Sequence, residues 1–223
     1  MIGRGGNATV HSLPGEEDLV LRVPRRGGFS ASHEEIGPAR AVRVSNPFGD
    51  MNVGQALARV GGATVLLRQR GEPAGMNSAD PAFKREDRDD VYRDRIETAA
   101  QMPQSAYDRV AADLLRSNEL GHVWDPSKSN NILIDRAGGR FGLVDLSPRD
   151  PKSDYVNTAA EVVVCLVGNT HAWKASHIKD DLVGPRREIV RKMMLAADRV
   201  GLPKGDAERD SSFRYSLSLA GMV

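Results

Sequence analysis

The stretch His122-Val123-Trp124-Asp125-Pro126-Ser127-Lys128-Ser129-Asn130-Asn131-Ile132-Leu133-Ile134-Asp135, followed closely by Phe141-Gly142-Leu143-Val144-Asp145-Leu146-Ser147, decides the reading of this chain. Two short apolar runs, 132–134 and 141–144, are joined by Asp135-Arg136-Ala137-Gly138-Gly139-Arg140, which predicts a β-hairpin. Ahead of it stand an aspartate at the expected end of a helix, a lysine shortly after, and an asparagine just before the apolar strand. That order suits a site that orients a hydroxyl (Asp125), screens a transferring phosphoryl group (Lys128) and holds Mg²⁺ (Asn130 or Asn131). Asp145, at the exit of the second strand, is the candidate for the carboxylate that bridges Mg²⁺ to phosphates.

Working towards the N-terminus, 13 of the 22 glycines fall in the first 75 residues, among short apolar runs at 19–23 and 63–67. This predicts a small strand-rich lobe with tight turns. Its opening, Ile2-Gly3-Arg4-Gly5-Gly6-Asn7-Ala8-Thr9-Val10, spaces glycines closely enough for backbone N–H groups to approach phosphate oxygens, with Val10 placed to cap an adenine. Ser32 followed by Glu35 is a capping-box pattern and predicts a short helix from about His33, limited by Pro38. The breaker cluster Arg70-Gly71-Glu72-Pro73-Ala74-Gly75 reads as a linker between lobes.

Working towards the C-terminus, the periods become helical. Ten charged residues of both signs in 84–95 predict a solvated helix face or a mobile loop. Tyr107, Val110, Ala111, Leu114 and Leu115 share one side of a helix over about 105–120. Further helices are expected over 155–167 and 185–200. In the second, Ile189, Val190, Met193, Met194, Ala197 and Val200 form an apolar stripe that belongs to a core. The tail from 203 is polar, then weakly apolar over 213–219; it docks on the domain or frays. His171 and His177 miss the i, i+4 spacing of two ligands on one helix face.

Composition sets outer limits. The 223 residues, 40% of them apolar, suffice for one large domain or two joined lobes. With 31 basic and 30 acidic side chains the formal charge is +1, so no global field points to nucleic acid or an anionic membrane. Cys165 has no partner for an internal disulfide and lies in an apolar run, as a buried structural thiol would. No apolar run of about 18 residues is present, and no secretory signal peptide is read at the start.

In this order the motifs resemble the protein kinase superfamily. Gly3-x-Gly5-x-x-Ala8-x-Val10 is similar to its glycine-rich loop, with alanine in place of the third glycine, and Leu19-Val20-Leu21-Arg22 is similar to the third-strand motif that ends in lysine. His122 to Asn131 resembles the catalytic loop, and Asp145-Leu146-Ser147 stands where Asp-Phe-Gly is found. The resemblance covers roughly residues 2–147 and opens within the glycine-rich loop. It departs from the pattern by one extra residue on each side of Asp125 and by an arginine, Arg22, for the lysine. Counting from Asp125 selects Asn130; counting from Lys128 or back from Ile132 selects Asn131.

The resemblance implies an α+β, minimal bilobal kinase-like domain over 1–223, with an N-lobe over 1–72, a reduced helical C-lobe over 73–223, and little or no activation loop. It implies ATP and Mg²⁺ as cofactors. Adenine would lie against Val10 and Val20 near 67–70, with Arg22 on phosphates paired to Glu35 or its neighbour Glu34. Asp125 and Lys128 would act in transfer, and Asp145 with Asn131 or Asn130 would hold the metal. Only 78 residues follow Asp145, a helix is expected within about ten of them, and Ala-Pro-Glu is absent. Such compactness is most similar to bacterial type III secretion effector kinases that phosphorylate the host heat shock protein 90 chaperone on serine. That likeness implies a monomeric serine/threonine kinase acting in a host cytoplasm on a protein substrate, with no nucleic acid or membrane partner. Two alternatives share the motifs: a kinase-like binding module impaired by Arg22, and a small-molecule phosphotransferase of the antibiotic-resistance type.

Overall fold

The computed structural model describes residues 3–4, 8–13, 15–24, 56–60, 63–69, 71–74, 87–126, 131–144, 146–167 and 180–223. The chain is α+β. Its first strands, β1 (Gly3–Arg4), β2 (Ala8–Leu13), β3 (Glu16–Pro24), β4 (Ala56–Val60) and β5 (Ala63–Gln69), form one antiparallel sheet in the order β1-β2-β3-β5-β4. Gly15, at φ 81°, supplies the left-handed residue in the tight β2–β3 connection. The apolar runs at 19–23 and 63–67 are therefore strands of one sheet. The helix expected from His33 lies outside the described residues.

The second part is built on the predicted hairpin. β8 (Ile132–Asp135) pairs with β9 (Arg140–Leu143), and β6 (Glu72–Pro73) adds to the other edge of β8 through Glu72↔Ile134 and Pro73↔Leu133. Part of the breaker cluster is thus a strand on the hairpin. In the turn, Gly139 adopts φ 58°, the Gly138 N–H donates to Asp135 Oδ1 at 2.8 Å, and Arg140 pairs with Asp135 at 2.7 Å. Arg136 reaches from the same turn to Glu72 (2.8 Å) and to the Thr98 hydroxyl (2.6 Å), joining the hairpin to β6 and to the first helix.

Five α-helices lie among the described residues: α1 (Arg88–Gln101), α2 (Gln104–Glu119), α3 (Ala159–Val167), α4 (Val183–Val200) and α5 (Ser211–Leu219). Of the charged run over 84–95, residues 84–86 lie outside the described residues, and Asp89, Asp90 and Asp94 are exposed on α1. Tyr92, Arg95 and Ile96 turn inward instead. Pro103 separates α1 from α2 because its ring cannot continue a helix, and the Lys192 ammonium donates to the Ala100 and Met102 carbonyls, both at 2.7 Å, at the end of α1.

The predicted faces of α2 and α4 are buried: Tyr107, Val110, Ala111 and Leu114 meet Ile189, Val190, Met193 and Ala197 in a single core that also takes in α3 and the hairpin. The Tyr107 ring stands edge-on to Phe141 at 5.1 Å, fastening α2 to β9. The tail docks: Asp210 caps α5 by accepting from the Ser212 and Phe213 N–H groups, and Phe213 is buried. Cys165 is buried, as expected, and among the described residues no helix is long and apolar enough to cross a membrane.

Candidate functional site around Asp125

After α2 the chain does not pass from helix to Asp125, as expected, but forms a strand, β7 (His122–Trp124). A second short strand, β10 (Leu146–Pro148), pairs with it antiparallel, Leu146 opposite Trp124 and Pro148 opposite His122. The chain therefore leaves β7 at Asp125 at the same end at which it enters β10. Asp145 itself lies outside the described residues, as do Lys128 and Asn130.

The neck of the 125–131 loop is drawn together by hydrogen bonds. Asn131 is buried, and its Nδ2 donates to the Asp125 carbonyl at 2.9 Å. A carbonyl can only accept, so this bond fixes which end of the amide is NH₂ and leaves Oδ1 as the acceptor end, the kind of hard oxygen that suits Mg²⁺. The backbone oxygen of Asn131 accepts twice, from the Trp124 indole N–H at 3.1 Å and from the Val144 N–H at 2.9 Å. The second bond ties the loop to the residue just before position 145. Among the described residues no group of three His, Cys, Asp or Glu side chains is placed to hold a metal, and of the three residues expected to hold one, Asn130, Asn131 and Asp145, only Asn131 is described.

Behind this neck stands an arrangement that the sequence reading missed. Asn157 is fully buried and treats the Trp124 peptide as a neighbouring strand would: its Oδ1 accepts the Trp124 N–H at 2.7 Å while its Nδ2 donates to the Trp124 carbonyl at 2.9 Å. Asn118, on α2, repeats the device on Asn157, accepting its N–H and donating to its carbonyl, both at 2.9 Å. Glu161 then accepts from Asn157 Nδ2 at 2.7 Å and from the Thr158 N–H at 3.2 Å, while the Tyr155 hydroxyl donates to its other oxygen.

These bonds explain why the helix expected from 155 begins at Ala159, fourteen residues beyond Asp145. Asn157 is spent on the strand and the Thr158 N–H on Glu161, and the helix starts at the next residue, whose own N–H goes to the Pro203 carbonyl. The signal was legible: Thr158-x-x-Glu161 is a capping box.

The electrostatics follow from burial. Burial pushes the Glu161 carboxyl above the usual range, against the pull of its three hydrogen-bond donors. Tyr155 is raised by burial, by Glu161 and by the Asp125 charge. Cys165, one turn beyond Glu161, is raised mainly by burial, and its Sγ lies 3.5 Å from the Pro126 carbonyl. His122 is lowered by burial.

At the other end of the chain, Gly3 pairs with Val10 and Arg4 with Thr9, while Gly5 and Gly6 lie outside the described residues. In the β2–β3 ladder Ala8 is opposite Pro24 and Val10 opposite Arg22. Directly opposed residues and those two apart share a sheet face, which groups positions 8, 10, 20 and 22. Val20 is buried and Val10 half-buried. Glu34 and Glu35 lie outside the described residues. No family model matches the chain, and no curated protein matches it in sequence.

Proposed function

We propose that this chain is an ATP- and Mg²⁺-dependent phosphotransferase of minimal bilobal kinase-like architecture, acting on serine or threonine hydroxyls of a protein. The observation that carries the reading is the bond from Asn131 Nδ2 to the Asp125 carbonyl at 2.9 Å. It joins a carboxylate able to receive a hydroxyl proton and an amide oxygen able to face a metal within one short loop. It also favours Asn131 over Asn130 as the metal-side amide.

In this reading Asp125 orients the acceptor hydroxyl and takes its proton, and Lys128 screens the charge on the transferring group. Asn131 and Asp145 are the residues that would hold Mg²⁺, which when bound supplies charge neutralisation at the phosphates. Positions 10 and 20 suit an apolar adenine, Gly3, Gly5 and Ala8 suit phosphates, and Arg22, paired with Glu35, replaces an ammonium by a planar guanidinium that still reaches phosphate oxygens. The host chaperone, heat shock protein 90, and delivery into a host cell remain part of the proposal through the resemblance alone.

The test is radiolabelled phosphate transfer from Mg²⁺-ATP to proteins of a eukaryotic lysate, followed by identification of the labelled residues by mass spectrometry. Wild-type protein is expected to label serine or threonine, and Asp145→Ala to abolish labelling with the thermal midpoint little changed. Equal labelling by the variant would sink the assignment.

A further inference from the structure

We infer that Glu161 is a positioning residue for the transfer reaction, acting through Asn157 and the Trp124 peptide to fix where Asp125 stands; this rests on the phosphotransferase reading above. Glu161 touches none of the groups assigned to chemistry. Its effect runs along a chain of bonds. Its Oε2 accepts from Asn157 Nδ2 at 2.7 Å, Asn157 grips both polar groups of the Trp124 peptide at 2.7 and 2.9 Å, and Asp125 is the next residue.

The physical need for Glu161 lies in the symmetry of an amide. Rotated by half a turn about its last bond, Asn157 would fill the same space with its donor and acceptor exchanged, and both bonds to Trp124 would become clashes of like dipoles. The acceptor at Glu161 opposes that rotation, because the flipped amide would turn its oxygen towards a carboxylate. Glu161 is itself held in place by three donors from the segment just before it: the Tyr155 hydroxyl on Oε1, and Asn157 Nδ2 and the Thr158 N–H on Oε2. Tyr155 also lies 3.3 Å from Asn157 Nδ2, and its own carbonyl accepts from Arg149 at 3.3 Å. The segment after β10 thus supports the neck of the loop from behind without any added phosphate.

Two variants separate positioning from simple stabilisation. Glu161→Gln keeps the size and one acceptor oxygen for Asn157 and Thr158, and Tyr155 can turn its hydroxyl to accept from the new amide. Glu161→Ala removes every contact. Initial rates of radiolabelled transfer from varied Mg²⁺-ATP to a fixed eukaryotic lysate give apparent kcat and the KM for ATP. Thermal midpoints and the Trp124 indole cross-peak, which reports the bond to Asn131, are measured alongside.

Glu161→Ala is expected to lower kcat about a hundredfold with the KM for ATP within about twofold, as small misplacements of reacting groups do, whereas Glu161→Gln, which keeps the acceptor for Asn157, should stay within about threefold of wild type. The indole cross-peak should move in Glu161→Ala and hold its place in Glu161→Gln. A folded Glu161→Ala protein with unchanged kcat overturns the inference and leaves the phosphotransferase reading standing. So does a loss of kcat that merely follows the thermal midpoint, with the Gln variant no better than the Ala variant. Absence of transfer by the wild-type protein overturns the reading and the inference together.

Discussion

Replacing Asn157 by aspartate changes one atom type and almost no volume, so its consequences isolate the amide clamp. The new oxygen still accepts the Trp124 N–H. Where Nδ2 stood, however, a carboxylate oxygen would face the Trp124 carbonyl at about 2.9 Å and Glu161 Oε2 at about 2.7 Å. Leaving the buried carbonyl without its donor costs ~1–3 kcal/mol. Two like charges some 3–4 Å apart at an effective dielectric of about 20 add ~4 kcal/mol, unless one carboxyl takes up a proton. Protonation is an escape of similar cost, since holding a carboxyl three units above its ordinary pKa at neutral pH takes ~4 kcal/mol. The sum, ~5–7 kcal/mol, rivals the whole stability of a typical domain.

Asn157→Ala leaves two orphaned peptide groups but no new charge, ~2–6 kcal/mol, centred below the sum for aspartate. At pH 7 the order of stability is therefore wild type, then Asn157→Ala, then the nearly isosteric Asn157→Asp. Aspartate with a folded pKa above its unfolded value binds its proton more tightly when folded, so its deficit shrinks as the pH falls towards 5. Urea unfolding followed by tryptophan fluorescence at several pH values tests both statements. An Asn157→Asp protein as stable as wild type at pH 7, or one whose deficit ignores pH, would refute the reasoning.

The remaining predictions are shorter. Asn131→Ala should abolish transfer and also loosen the loop neck, whereas Asn130→Ala should keep most of the rate; comparable losses in steady-state assays would remove the preference for Asn131. Cys165, buried and held above the usual thiol range, should resist a thiol reagent at pH 8 until denaturant is added, and fast labelling of native protein would contradict its placement. His122 has a pKa lowered from the ordinary 6.5 by burial. Its stabilising contribution is full above pH 6.5 and is lost as the pH falls through the window below it, so the imidazole should titrate below 6.5 by NMR, and a midpoint above that value would show the burial argument to be wrong.

How much of this was legible depended on whether the determining contacts are local. The hairpin of β8 and β9, the faces of α2 and α4 and the burial of Cys165 follow from apolar period and turn chemistry, both written in adjacent residues. The short strands β7 and β10 were not. Three residues carry too little pattern, and each exists because the other, over twenty residues away, completes its hydrogen bonds. Asn157 was invisible for the same reason, since an isolated Asn reads as a turn residue until its partner at Trp124 is known. The start of α3 was a different kind of miss. Its capping box was present in the sequence, but the apolar run behind it drew the helix boundary too far forward.

The neck of the candidate site is held by amides, and there is a physical reason for that choice. Asn118, Asn157 and Asn131 each form hydrogen bonds to backbone without adding a net charge, and the first two satisfy a peptide's donor and acceptor at once. An ion pair in the same place would impose a field on Asp125 and on any phosphate or metal nearby, and in a buried setting its own desolvation would consume much of what it gained. In the proposed phosphotransferase, a chain whose charges nearly cancel would rely on a few placed charges for its chemistry. Neutral clamps add no charge of their own beside Asp125, and Glu161, the carboxylate that supports them, is placed behind Asn157, where its hydrogen bonds act on geometry.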